Sequence, residues 1–214
     1  MDISKEKPDY TLKYILVGDS YVGKSNIMYR FIQNKFVEDY DATINLDFSY
    51  KNIKIGEYIY RVQLWDTVGQ ENFQSISRGY YKNGVCALVV YDITNKDSFD
   101  NVKKWIEEVK TNGPSTTSLI LVGNKIDLID QRIITYEEGE ELASENSMLF
   151  FETSAKTGDN INKMFNESVE SIIKKIENDF YKDKQDCGID FSNAQQKKIN
   201  KLKNEKKEKK KKCC

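Results

Sequence analysis

The stretch Gly18-Asp19-Ser20-Tyr21-Val22-Gly23-Lys24-Ser25 constrains the fold more than any other part of this 214-residue chain. It fits G-x₄-G-K-[ST], follows the apolar run Tyr14-Ile15-Leu16-Val17, and opens a helix-like segment from about Lys24 to Gln33. Strand, glycine-rich turn and helix in that order wrap backbone N–H groups around phosphate at a helix N-terminus, where the dipole favours anions. In such a loop Lys24 adds charge on the β- and γ-phosphates, and the Ser25 hydroxyl ligates Mg²⁺. The loop predicts a nucleoside triphosphate but leaves the base open.

Strand-like and helix-like segments alternate from about residue 10 to 180. Residues 46–55 and 58–66 alternate in character around Gly56-Glu57, which predicts an antiparallel hairpin. Val85 to Tyr91 and Leu119 to Val122 are apolar throughout, as expected of strands buried on both faces. Residues 98–110 have helical spacing, with Phe99, Val102, Trp105, Ile106 and Val109 on one side. Tyr136 to Glu145 reads as a short charged helix, Met148 to Phe151 as a last strand and Ile161 to Ile176 as a last helix. This order predicts an α/β fold with a mostly parallel sheet.

Composition removes several chemistries. The chain has no histidine, which excludes Ser-His-Asp triads, Cys-His dyads and His-based zinc sites. Its four cysteines, Cys86, Cys187, Cys213 and Cys214, are too few and scattered for a disulfide framework. The formal charge of −1 hides an asymmetry: residues 197–212 hold ten Lys and two Glu, so the remainder carries −9. The expected organisation is a polar extension at 1–9, one domain at 10–180, and a disordered polybasic tail at 181–214. No run is long and apolar enough to span a bilayer, and Met1 to Tyr10 lacks the apolar core of a secretory signal.

The base is addressed by Asn124-Lys125-Ile126-Asp127, which follows the Leu119–Val122 strand. A carboxylate at Asp127 can accept both the N1–H and the N2 amino protons of guanine, a donor pair that adenine lacks. Ser154-Ala155-Lys156 follows the last strand in the same way, and a backbone N–H there can meet guanine O6. Asp66-Thr67-Val68-Gly69-Gln70-Glu71 ends the hairpin's second strand. Asp66 is placed to hold Mg²⁺ through its waters, Gly69 to approach a γ-phosphate, and Gln70 to orient an attacking water.

Together these pieces resemble the Ras superfamily of small GTPases, and within it the Rab family. The resemblance covers about residues 10–180 and the C-terminus. It implies the P-loop NTPase (small G-protein) fold: a mostly parallel six-stranded sheet with one antiparallel edge strand and helices on both faces. It places nucleotide contacts on Ser20, Tyr21, Val22, Gly23, Lys24, Ser25, Asn26, Phe36, Thr43, Gly69, Asn124, Lys125, Asp127, Leu128, Ser154, Ala155 and Lys156. Mg²⁺ would be held by Ser25, Thr43 and Asp66, and catalysis would use Gln70, Lys24 and Thr43. Ile44, Asp47, Phe48, Trp65 and Tyr80 fall where Rab effectors bind. Three departures stand beside this chemistry: Tyr21 where a small residue is usual, Asn45 for Gly, and Val68 for Ala. They admit an alternative, a hydrolysis-impaired, membrane-anchored GTP-binding scaffold.

The terminal Cys213-Cys214 after the lysine run is not C-a-a-X and resembles the doubly geranylgeranylated ending of Rab proteins. The resemblance implies an exchange factor, a GTPase-activating protein, a GDP-dissociation inhibitor, an escort protein, effectors and a geranylgeranyl transferase as partners. It implies no nucleic acid, a monomer, and a place on the cytoplasmic face of a secretory or recycling/endosomal membrane, with a chaperoned cytosolic pool.

Overall fold

A computed structural model describes residues 3–38, 47–66, 77–181, 187–191 and 193–194. Six strands carry the sheet: β1 (Tyr10–Val17), β2 (Asp47–Ile55), β3 (Tyr58–Asp66), β4 (Cys86–Asp92), β5 (Ser118–Asn124) and β6 (Leu149–Thr153). Their order is β2-β3-β1-β4-β5-β6. All neighbours are parallel except the hairpin pair β2–β3, which puts the one antiparallel strand at the edge as expected. The helices are α1 (Lys24–Gln33), α2 (Ser77–Tyr81), α3 (Lys96–Asp100), α4 (Val102–Asn112), α5 (Tyr136–Glu145) and α6 (Ile161–Glu177).

Alternation along the buried strands explains why both faces are covered. Leu12, Tyr14 and Leu16 point to one face, where Met28 and Phe31 of α1 meet Phe165 and Val169 of α6. Ile15 and Val17 point to the other, where Trp105 and Ile106 of α4 meet Leu142 of α5. Cys86, Leu88 and Val90 of β4 follow the first set, and Ala87, Val89 and Tyr91 the second. Phe31 stacks on Phe165 at 3.8 Å between ring centres, which locks α1 to α6.

The helix expected over 98–110 begins earlier and is interrupted. Asn95 caps α3 by accepting the Ser98 N–H at 3.0 Å, and a turn at Asn101 separates α3 from α4. Helix α5 starts on a full capping box between Thr135 and Glu138.

The sheet also gains a seventh strand within the stretch expected to be tail. In β7, Ile189–Asp190 pairs antiparallel with β1, Ile189 opposite Leu12 and Asp190 opposite Thr11. Cys187 and Ala194 are buried beside it. Two paired residues carry no period that a sequence reading can detect. The N-terminal extension is likewise packed down: the Asn52 amide donates to the carbonyls of Ile3 and Glu6, and the Asp9 N–H to that of Ile59. Among the described residues, no helix is long and apolar enough to cross a membrane.

Candidate functional site

The loops that follow β1, β4, β5 and β6 gather at the C-terminal ends of the strands, where Asp66 also ends β3 and where open α/β sheets hold their ligands. Between β1 and α1 the chain turns through Gly18 to Gly23. Gly23 has φ 97°, and a Cβ there would lie 2.4 Å from the Asn124 amide, so only glycine lets the turn pass. Tyr21 also adopts a left-handed φ of 65°, and its side chain is 73% exposed. An aromatic residue in that conformation is strained, and its ring is directed to solvent.

Lys24 is the buried cation of the loop. Its ammonium donates to the carbonyls of Gly18 at 2.8 Å and Asp19 at 2.7 Å. Burial pushes its pKa down to about 8 against the opposing pull of Asp66 and Asp19. A desolvated ammonium bonded mainly to neutral carbonyls is poised to take on anionic oxygens. The Ser25 hydroxyl donates to the Asp66 carboxylate, both groups buried. That convergence supplies hard oxygen donors of the kind Mg²⁺ takes alongside phosphate, so these residues fit the metal.

The base side is a web of side chains. The Asn124 amide donates to the Val22 carbonyl at 2.9 Å, and its oxygen accepts from the Thr153 hydroxyl and the Ala155 N–H, each at 3.2 Å. One buried side chain thus joins the phosphate loop, β5 and the segment after β6. The Ser154 hydroxyl donates to Asp127 at 2.5 Å, which aims that carboxylate. Lys125, at a left-handed φ of 72°, forms an ion pair with Asp92 at 2.7 Å. Leu128 follows in a 3₁₀ turn, its N–H donating to the Lys125 carbonyl. Asn26 does not face the phosphates with its side chain: its amide exchanges two hydrogen bonds with the Val37 backbone. Phe36, just before, is half-buried against the core.

Two supports carry no sequence signal of their own. The Asp19 carboxylate accepts from the Asn101 amide and the Trp105 indole N–H, both at 2.7 Å, so α4 holds the phosphate loop in place. Arg30 donates to the carbonyls of Ala155 at 2.8 Å and Lys156 at 2.5 Å, which ties α1 to the Ser154–Lys156 segment. Helical spacing by itself assigns Trp105 to packing alone.

On the opposite flank, Phe48 lies across from Trp65 with 5.2 Å between ring centres, and Trp65 lies 6.4 Å from Tyr80. Phe48 is exposed and Trp65 half-buried, whereas Tyr80 is buried. The Tyr80 hydroxyl accepts the Leu16 N–H at 3.1 Å and donates to the Trp65 carbonyl. The Lys13 ammonium sits 4.4 Å over the Trp65 ring. Asp47 opens β2 opposite Asp66. Thr43, Ile44, Asn45, Val68, Gly69, Gln70, Cys213 and Cys214 lie outside the described residues.

The Ras family profile matches residues 13–174. The chain is 43% identical over 169 residues to the Ras-related protein Rab-2B of Dictyostelium discoideum, covering 79% of this chain and 84% of that protein. It is 41% identical over 171 residues to Rab-4 of the same organism, covering 80% and 83%. The chain belongs to the Ras family and is a Rab-type small GTPase. A third relative, the GTP-binding protein ypt3 of Schizosaccharomyces pombe, is 40% identical over 174 residues and covers 81% of each chain. As a small GTPase it binds GTP and GDP and hydrolyses GTP.

Proposed function

We propose that this Rab-type GTPase regulates intracellular vesicle traffic, cycling between GDP and GTP forms and between cytosol and the cytoplasmic face of an endomembrane. The observation that carries the reading is the Asn124 web, which fastens the phosphate loop to the two base-side segments in one rigid unit. Guanine selectivity rests on Asp127, aimed by Ser154. Backbone N–H groups from Ser20 to Asn26, with Lys24, bind the phosphates, and Phe36, Lys125, Leu128, Ala155 and Lys156 frame the base and ribose. Ser25, Asp66 and Thr43 would hold Mg²⁺, which when bound would supply neutralisation of phosphate charge. Lys24 stabilises charge on the same oxygens, and Gln70 orients the attacking water.

Thr43 and Gly69 answer to the γ-phosphate, which switches the surface that Ile44, Asp47, Phe48, Trp65 and Tyr80 present to effectors. Exchange factor, GTPase-activating protein, GDP-dissociation inhibitor and escort protein drive the cycle. Cys213 and Cys214 take two geranylgeranyl chains from their transferase, and the lysine run adds electrostatic attraction to an anionic leaflet. One lipid chain anchors only marginally, so two are needed for a durable tether.

The test is direct. The purified chain should bind fluorescent GDP in a way that excess GTP displaces and excess ATP does not, and should hydrolyse one equivalent of GTP slowly in a single turnover. Displacement by ATP, or no turnover, would refute the proposal. Unmodified thiols at Cys213 and Cys214 in protein from native membranes would refute the lipid part alone.

A further inference from the structure

β1 extends beyond its pairing with β4. β4 pairs with β1 only from Tyr14 to Val17, which leaves Tyr10 to Lys13 without a β4 partner on that side. An open half-strand inside a sheet is a strand-docking slot. Its occupant is a piece of this chain: β7 pairs there, and the Lys13 N–H donates to the Gly188 carbonyl at 3.3 Å. Four further contacts fix the seat. Cys187 is buried in the core beside Tyr181. The Phe191 ring meets Tyr10 edge-on at 6.0 Å. Asn193 and Ala194 donate to the carbonyls of Pro8 and Asp9 at 2.9 and 3.1 Å.

The entry to the slot admits only glycine. Gly188 has φ 74°, and a Cβ there would fall 2.2 Å from the Asn83 carbonyl oxygen and 2.6 Å from the Val85 nitrogen, both backbone atoms that cannot swing aside.

We propose that residues 187–191, with 193 and 194, are a detachable strap: a strand seated in the open half of β1 that fixes where the tail leaves the body. A partner that grips the tail as an extended chain from its root must first unseat it. The ladder is only two residues long, short enough to open while the sheet stays closed. Seating changes the reach of the tail. An extended chain from residue 182 to Cys213 spans at most roughly 110 Å, and from residue 195 at most roughly 65 Å. That consequence rests on the lipidation proposed above. The seating does not, and the experiment reads seating alone.

The full chain with Cys213→Ser and Cys214→Ser retains two thiols, both buried: Cys187 in the strap and Cys86 within β4. With GDP bound, maleimide alkylation of each is followed by mass spectrometry. Cys187 should react about a hundredfold slower than in urea, yet at least about tenfold faster than Cys86, because the strap opens locally. Gly188→Val should raise the Cys187 rate at least about tenfold and leave Cys86 and GDP affinity unchanged. Cys187 reacting natively as fast as in urea would show that the strap is not seated. Equal rates for Cys187 and Cys86 would show that it does not detach. Either result overturns the proposal without any glycine variant.

Discussion

The two ends of the sheet solve the same problem, how to finish a bundle of buried strands, by different means. At the C-terminal ends of the strands the chain is held by side chains reaching backbone or one another across long sequence distances: Asn124 to Val22, Trp105 to Asp19, Arg30 to Ala155. At the other end backbone and apolar contact predominate, with β7 on β1, Cys187 in the core and Phe191 on Tyr10, and the Asn193 and Asn52 amides add side-chain bonds to the N-terminal backbone. In the first arrangement the buried Asn124 amide and the Asp19 carboxylate both find partners, and that gives fixed positions for recognition. The second asks little of any one side chain and can open without disturbing the first.

The sharpest way to break that contrast is Asp127→Asn. It replaces an acceptor of the guanine N–H pair with a donor, and GTP affinity should fall at least about a hundredfold while xanthosine nucleotides gain. Competition binding checks it; an unchanged preference would remove Asp127 from the site.

Trp105→Phe leaves the Asp19 carboxylate without its indole donor. A hydrogen bond to a charged group is worth about 1.5–3 kcal/mol, so thermal stability should fall and GDP release quicken severalfold. Unchanged release would mean that α4 does not steady the phosphate loop.

Lys24 predicts a pH dependence. Its pKa is about 8 with the loop free of phosphate. Bound phosphate raises it, so binding takes up a proton above pH 8, and GDP affinity should fall as pH rises, by up to about tenfold per unit. Stability of the nucleotide-free chain runs the other way. The unfolded lysine titrates near 10.4, so between about 8 and 10.4 the unfolded state binds more protons and stability rises with pH. Lys13, also lowered to about 8 by burial, adds to the stability slope. Affinity and melting measured from pH 7 to 9, below the ionisation of guanine N1–H, on wild type and Lys24→Met separate the two, and an affinity slope that survives there in Lys24→Met would contradict the assignment.

The smallest effect belongs to the opposite end. Phe191→Ala loses one edge-on ring contact, about 1 kcal/mol, and should speed amide exchange in the strap while GDP release stays the same. A change in GDP release would show that the two ends are coupled.

Much of the domain is legible in the sequence, because its strands are long enough to show a period and its loop motif sits at a strand–helix junction. The Gly18–Ser25 turn, the hairpin edge and the placement of Asn124 and Asp127 beside Ser154 all follow from residue type and order. Trp105 is hidden because its apolar spacing along α4 satisfies the packing pattern, and spacing does not reveal an indole N–H aimed at Asp19. Arg30 is hidden because a cation on a helix is usually solvated. The strap is hidden by its setting, since Cys187, Ile189 and Phe191 are isolated apolar residues in polar sequence and only tertiary contact gives them a role.

The meeting of Ala194 with Asp9 has a topological consequence. Ala194 and the residue just before β1 are one hydrogen bond apart, so the body from β1 to the strap is close to a closed ring. Spliced there and reopened at the exposed Gly56-Glu57 turn, a circularly permuted chain could keep every strand neighbour and every loop of the nucleotide edge, with β2 and β3 as its new ends.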